Sequence, residues 1–533
     1  MITGKNHGKK GICVKRFVLF LLALMLLCGA SSAEEKGLDM ENNSRVFYEI
    51  FVGSFSDSDG DGIGDLRGII NRMDYLNDGN PDSTASLGIE GIWLTPVFLS
   101  PSYHKYDVTD YYQVDPQFGT LDDLKELVAL CHERNVKLIL DLPLNHTGSD
   151  HEWFQRFRTA HFMHNEGHDY YDFYCWIGSY EKVPAGRRFE KLWGTDILYE
   201  CNFSESMPEL NFDNEKVRRA VLDVAAYWLD LGVDGFRFDA AKYPYYGEHA
   251  KNTEFWVWYM DELKKINPNI YTVAEVWDGD AIIDRYLPAF NCFRFSTAQL
   301  EGLIAVTALK GDVNMFTRNT ENYLKAIHAI NPEAMNVPFI ANHDTDRAAG
   351  YLTAASGSAQ MAANLYLLSP GSPFIYYGEE IGLRGSRGAA NTDANRRLAM
   401  PWGDGDTVRD PDGATYDTSE FYSVADREKD TWSILWHYRK VLALRRANPE
   451  IARGTYTALS FPDTKAGGFL CEWNGSVVGV FHNTTTSAKK LDLSTVTDIA
   501  FTSVEFISVD FESSASLDGT VLTLGPQTTA ILR

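Results

Sequence analysis

The stretch GFRFDAAKY, residues 235–243, sets charge against aromatic rings within one short strand. Side chains along a strand alternate with a period of two, so Gly235, Arg237 and Asp239 share one face and Phe236 and Phe238 the other. Charge on a strand face needs a reason. Burying it unpaired is costly, and even a buried pair stabilises a fold only weakly. Two readings compete: a structural Arg–Asp pair, or a carboxylate held ionised by a neighbouring cation for chemistry. The rest of the chain decides between them.

Outward from this strand the same unit recurs. Apolar, β-branched or aromatic runs at 45–55, 88–98, 136–144, 233–238, 271–277, 291–296, 337–342 and 373–378 read as strands. Helical patterns separate them, among them 121–135, 214–232, 253–267 and 431–449. Repeated strand–helix alternation demands a parallel sheet covered by helices. Eight such strands are the count of a (β/α)8 TIM barrel. A doubly wound open sheet is the alternative, but no G-x-G-x-x-G follows the first strand.

Two segments break the rhythm. Residues 147–206, rich in Tyr, Phe, Trp, His and Gly, are too long for a loop and read as a subdomain inserted after strand three. From 454 to 533 the pattern turns to short strands, which reads as a C-terminal all-β sandwich. The barrel then comprises 34–146 and 207–453.

Chemistry in such a barrel gathers at the C-terminal ends of its strands. Strand three ends DLPLNHT with Asp141, Asn145 and His146; strand four ends with Arg237 and Asp239. Strand five ends AEVW with Glu275, and strand seven ends ANHDTD with Asn342, His343 and Asp344. One such residue is usually structural; four strands delivering them to one rim are hard to explain that way. Paired carboxylates of unlike ionisation are what glycoside hydrolysis requires. Asp239, beside Arg237, suits the nucleophile. Glu275, on an apolar strand that would raise its pKa, suits the acid/base. Asp344 would hold sugar hydroxyls and favour a cationic transition state, with His146 and His343 placed to donate hydrogen bonds.

DLPLNHT, GFRFDAAKY, AEVW and FIANHD, in this order, closely resemble the four signature regions of the α-amylase family of glycoside hydrolases, and MPELN (207–211) resembles its fifth. The resemblance covers essentially the whole chain beyond residue 33. It implies Asp239 as nucleophile, Glu275 as acid/base and Asp344 as transition-state stabiliser. It implies sugar contacts from His146, Arg237, Lys242 and His343, and Tyr106 in YHKYDVTDYY (103–112) as the stacking tyrosine. Arg237 is then expected to keep Asp239 ionised and aimed. The leading Met207 resembles a group intermediate between oligo-1,6-glucosidases and neopullulanases. Tyr243 departs from the usual histidine after Lys242, which leaves leaving-group binding open. The implied activity is endo-acting α-amylase on starch-like α-1,4-glucans. An exo-acting α-glucosidase or oligo-1,6-glucosidase, a transglycosylase such as a trehalose synthase, and a non-catalytic glucan-binding subunit are the alternatives.

DSDGDGIGD (57–65) places Asp57, Asp59, Asp61 and Asp65 at positions 1, 3, 5 and 9, with the Ile63 carbonyl at 7. Oxygen spacing of this kind suits Ca²⁺, although Gly68 stands where an EF-hand has its bidentate Glu. The plain alternative is a solvated acidic turn. Similar loops occur here in groups the chain resembles, which implies structural calcium. A second calcium at Asn145 stays open.

The remaining composition bounds the setting. A net charge of −24 over 533 residues argues against nucleic acid or an anionic membrane as partner. Basic residues precede the apolar run 17–27 and then CGASSA, so residues 1–33 read as a secretory signal and the protein as secreted. Cys28 offers lipid anchoring as the alternative. Five cysteines follow, scattered and without C-x-x-C; a Cys175–Cys201 pairing stays open. A monomer is expected.

Overall fold

The computed structural model describes residues 38–353 and 356–533, together with Met1. Residues 2–33, which the sequence reads as a secretory signal, therefore lie outside the described residues, Cys28 among them. Strands β1 (Phe47–Ile50), β2 (Gly91–Leu94), β3 (Lys137–Leu142), β4 (Gly235–Phe238), β5 (Tyr271–Ala274), β6 (Asn291–Cys292) and β7 (Phe374–Tyr376) form one parallel sheet. Their order is β6-β5-β4-β3-β2-β1-β7.

The gap between β6 and β7 is bridged by the segment 337–340. Arg294 N–H donates to Val337 O and Phe374 N–H to Pro338 O, both at 3.0 Å, and Phe339 pairs in parallel with Phe374. This eighth member closes the (β/α)8 barrel. It lacks a regular ladder because Pro338 has no N–H and because the Thr297 hydroxyl takes the Phe339 carbonyl.

The alternation read from GFRF is met in three dimensions. Arg237 points inward, opposite Asp141 on β3 and Val273 on β5. Phe47, Trp93, Ile139, Tyr271, Phe293 and Phe339 fill the barrel beneath it. Phe238 points outward onto Trp256 and Tyr259 of helix His249–Ile266, with ring centroids 5.0 and 5.8 Å away. All four β4 residues are buried, as a parallel strand covered on both faces requires.

The covering helices start at side-chain caps. Thr120 and Asp123 form a capping box on helix Leu121–Glu133. Asn214 caps Glu215–Asp230, which turns Val217, Val221, Val224 and Trp228 inward at helical spacing. Among the described residues no helix is long and apolar enough to cross a membrane.

Within 147–206 lie helix Glu152–Phe162 and a three-stranded antiparallel sheet of Trp176–Ile177, Leu198–Glu200 and Phe189–Lys191. Bridges His146↔Glu209 and Tyr174↔Leu210 tie this insertion and MPELN to the end of β3. Beyond Gly454 a five-stranded and a three-stranded antiparallel sheet enclose Leu459, Phe481, Leu491, Leu522 and Leu532. The three-stranded sheet includes Lys489–Asp492 and Ala515–Asp518, short polar strands that the sequence pattern does not reveal.

Candidate active site

Three strand ends converge on one guanidinium. Arg237, fully buried, lies with its guanidinium carbon 5.1 Å from the centre of the Trp93 ring. Its Nη1 donates to Asp239 Oδ1 at 2.6 Å and to the two Asp141 oxygens at 2.9 and 3.1 Å. Its Nη2 stands 3.2 Å from Glu275 Oε2. Immediately after Asp239 the chain turns sharply. Ala240 adopts a left-handed φ of +49°, unusual for a residue with a Cβ, so its N–H reaches Glu275 Oε2 at 3.0 Å. Ala241 N–H donates to the Glu275 carbonyl, also at 3.0 Å. The Asp239 and Glu275 turns are thus pinned to each other.

The facing wall centres on His343. Its Nδ1–H donates to Glu49 Oε1 at 2.6 Å, and Nε2 lies 2.9 Å from Asp344 Oδ2 and 2.7 Å from the Tyr106 hydroxyl. Tyr106 donates that hydroxyl to Asp141 at 2.8 Å, joining the two walls, and its ring stacks on His343. Arg397 Nη2 pairs with Asp344 Oδ1 at 2.7 Å while Nη1 donates to the Tyr103 hydroxyl. His343 is therefore spoken for by two carboxylates. His146 is buried, with both ring nitrogens unpartnered among the described residues, and its ring packs 5.2 Å from Phe203. Lys242 stands at the rim, donating to the Trp277 carbonyl and pairing with Asp278 at 3.2 Å.

Charge can be counted here. Glu49, Asp141, Asp239, Glu275 and Asp344 face Arg237, Arg397 and His343. Five acids against three cations cannot all ionise in a buried site without excess negative charge. Burial opposes the charge on His343, but Asp344 and Glu49 outweigh it and raise its pKa to about 10, so the ring is an imidazolium. Asp344, half-buried between His343 and Arg397, is held well below the ordinary carboxylate range by those two cations against the opposing effect of desolvation. Burial raises Asp141 to about 7 against the pull of Arg237. Burial also raises Asp239 and Glu275, each opposed by Arg237. Arg237, expected to keep Asp239 ionised and aimed, is divided among three acids, so Asp239 is held down less than a private pair would hold it.

A family model described as alpha amylase, catalytic domain, matches residues 49–454. The chain belongs to the α-amylase family. Alpha-amylase 3 of Dictyoglomus thermophilum is 35% identical over 454 residues, covering 82% of this chain and 84% of that protein. A 4-alpha-glucanotransferase of Thermotoga maritima is 31% identical, covering 76% of this chain and 88% of its own. The solved structure of Eubacterium rectale Amy13B superposes with a TM-score of 0.84 at 31% identity, covering 94% of this chain and 97% of that one. The protein is an α-amylase-family enzyme of glycosidic bonds.

In this α-amylase-family enzyme the acidic loop after β1 gathers Asp57, Asp59 and Asp61, with one carboxylate oxygen of each within 4.8 Å of the others. Backbone N–H groups shape it: Gly60 and Gly62 donate to Asp57, Asp61 to Asp59, and Ile63 to Asp61. Asp65 stands apart from the cluster. Its oxygens accept from Gly68 N–H at 2.6 Å and Ser58 N–H at 2.8 Å, which makes it the N-cap of helix Leu66–Asn71. The three-oxygen set fits a hard divalent cation such as calcium, whose chemistry there would be structural. No comparable cluster surrounds Asn145 among the described residues. Cys175 and Cys201 are both free thiols.

Sequence reasoning passed over Glu49, Tyr103 and Arg397. Glu49 carried a signal of the same kind as Arg237: one charge inside the apolar strand FYEI. Arg397 lies in an irregular segment where no periodicity marks it.

Proposed function

We propose that this enzyme is a secreted, retaining, endo-acting α-amylase that cleaves α-1,4-glucosidic bonds of starch-like glucans. The observation that carries the reading is Arg237 held against Asp239 and Glu275 on neighbouring strands, with Asp344 fixed opposite. The Asp239 carboxylate attacks the anomeric carbon while the Glu275 carboxyl gives its proton to the glycosidic oxygen, so the leaving glucan departs as an alcohol. Arg237 stays a fixed cation throughout, holding Asp239 in place as it changes from carboxylate to ester and remaining paired with Asp141. Water then attacks the glycosyl ester, with Glu275 accepting its proton, and Asp239 is released. Asp344, kept ionised by His343 and Arg397, faces the oxocarbenium-like transition state with a fixed negative charge. Tyr106 and His146 line the sugar's approach. The basic and apolar leader supports export.

Capture of the intermediate by sugar is the second reading. The rings of Phe203, Tyr243 and Tyr246 run in sequence with centroids 4.7 and 4.9 Å apart, a surface on which an acceptor sugar can stack. A time course on soluble starch separates the readings. Iodine colour collapsing while few reducing ends have appeared supports internal hydrolysis. Persistent colour with glucose accumulating points to exo action, and longer products from maltotriose point to transfer.

Two further results are expected. Formation of the glycosyl ester needs Glu275 protonated, and burial together with Asp239 and Asp344 raises its pKa. Activity therefore falls as pH rises through that raised value. The alkaline limb of kcat/KM against pH should lie clearly above the ordinary glutamate value of 4.5; a limb at or below it would refute the assignment. We propose calcium for the Asp57, Asp59 and Asp61 cluster. Chelation should lower the melting temperature by several degrees, and Asp59→Ala should remove that response. An unchanged Tm, with metal analysis showing calcium gone, contradicts it.

A further inference from the structure

Tyr106 is held at its tip, where the hydroxyl donates to Asp141 at 2.8 Å and lies 2.7 Å from His343 Nε2. Its root hangs on Lys105, whose backbone takes a left-handed φ of +66°. Glycine adopts that conformation freely, whereas a residue with a Cβ does so at a cost. Asn and Asp offset the cost by bonding their own backbone; a long aliphatic stem cannot. The Lys105 side chain turns inward instead and is only 2% exposed. Its ammonium donates to Asp115 Oδ2 and Gln117 Oε1, each at 2.7 Å, and to the Ser100 carbonyl at 3.1 Å. An ammonium carries three N–H groups, and here each has its own acceptor. The Phe118 ring lies over the same group, its centre 5.3 Å from Nζ. Asp115 is buried too, accepting from Ser100 N–H at 3.1 Å and capping the short helix Pro116–Phe118.

A buried ion pair stabilises a fold only weakly, and glycine would make the same turn without steric cost. Strain and a buried charge at one residue therefore call for a reason other than stability. We propose that Lys105 is a positioning residue: its anchored ammonium locks the turn that aims the Tyr106 ring at the sugar being cleaved. Lys105 and Tyr106 are consecutive, so any rotation of the backbone at 105 swings the root of the ring. The ring is then fixed at both ends, by Lys105 through the backbone and by His343 and Asp141 through the hydroxyl. The ion pair of Lys105 is with Asp115 and not with a catalytic carboxylate, so its effect on the reaction passes through Tyr106. The inference rests on the function proposed above in that Tyr106 faces the sugar.

The test is a double-mutant cycle with maltoheptaose as substrate. Lys105→Met combined with Asp115→Asn removes the anchor without leaving one charge buried alone. It should lower kcat about thirtyfold while KM moves less than about twofold, since a misplacement of about 1 Å costs up to about 10²-fold. Added to Tyr106→Ala, the same pair should cost less than about twofold, because the ring it aims is gone. A merely structural defect shrinks the active fraction alike in both backgrounds, so equal losses overturn the proposal. Lys105→Gly with Asp115→Asn keeps the turn and drops the anchor; wild-type kcat there overturns it as well. If these variants do not fold, Gln117→Ala, at an exposed position, carries the test. It should lower kcat about threefold only while Tyr106 is present, and an unchanged kcat overturns the anchor. A crystal structure of the first variant gives a readout independent of substrate. The Tyr106 hydroxyl should leave His343, and a ring that has not moved refutes the proposal whatever the enzyme cleaves. Failure of the α-glucan reading would show separately, as wild-type protein that leaves both starch and maltoheptaose intact.

Discussion

Replacing Asp239 by Asn is expected to remove turnover on starch by about 10⁴-fold or more, because the amide cannot form the glycosyl ester. That loss corresponds to at least about 5 kcal/mol of transition-state stabilisation. Asn keeps an oxygen for Arg237 Nη1, which now lies 2.6 Å from Asp239 Oδ1. The fold should therefore persist, with a melting temperature close to wild type and an unchanged response to chelation. Kinetics on maltooligosaccharides and a thermal melt check both halves. Near-normal activity in this variant would refute the nucleophile. The complementary substitution, Glu275→Gln, should spare the first step on substrates whose leaving groups need no proton, while breakdown of the glycosyl ester stays slow because Glu275 also takes the water's proton.

The second large effect is structural. Arg237→Met removes the cation shared by Asp141, Asp239 and Glu275 and leaves acids buried without compensation. Breaking a buried ion pair from one side typically costs about 3–5 kcal/mol. These acids can lower that cost by taking up protons, so the deficit must depend on pH. Their folded pKa values, already raised by burial, would rise further above the unfolded values. A carboxyl raised in this way holds extra protons in the native state, and stability is lost as pH rises towards the folded pKa. The Tm deficit of the variant should therefore be larger at pH 8 than at pH 5. Equal deficits at both values would mean that these acids do not depend on Arg237 for their charge.

Much of this was legible because period and position coincide. GFRF announces a two-faced strand, and its inward charge lands on the barrel axis beside Trp93. The ends of strands three, five and seven carry polar residues on otherwise apolar runs, so they stand out. Partnership over long separations did not. His343 meets Glu49 across 294 residues and Arg397 reaches Tyr103 across 294, distances at which no local pattern connects two side chains. Nor did spacing separate Asp65 from its neighbours in DSDGDGIGD. An aspartate ahead of a helix is an N-cap as readily as a ligand; here the helix takes one oxygen through Gly68, while Ser58 of the acidic loop takes the other. The sharing of Arg237 among three acids was likewise invisible, since it depends on the register of β3, β4 and β5.

Glu49 sits on β1, early in the barrel sequence, and steadies His343, which follows the bridging segment 337–340; that segment meets β7, which pairs with β1. The catalytic wall is thus assembled from opposite ends of the barrel sequence. A nascent chain that has completed β1 through β6 already carries Asp239 and Glu275 but has nothing to oppose them. Competence arrives with the last strand, in the same event that seals the cylinder. Enzymatic activity is therefore a direct gauge of ring closure, and fragments ending before residue 374 should be silent however well they hold their helices.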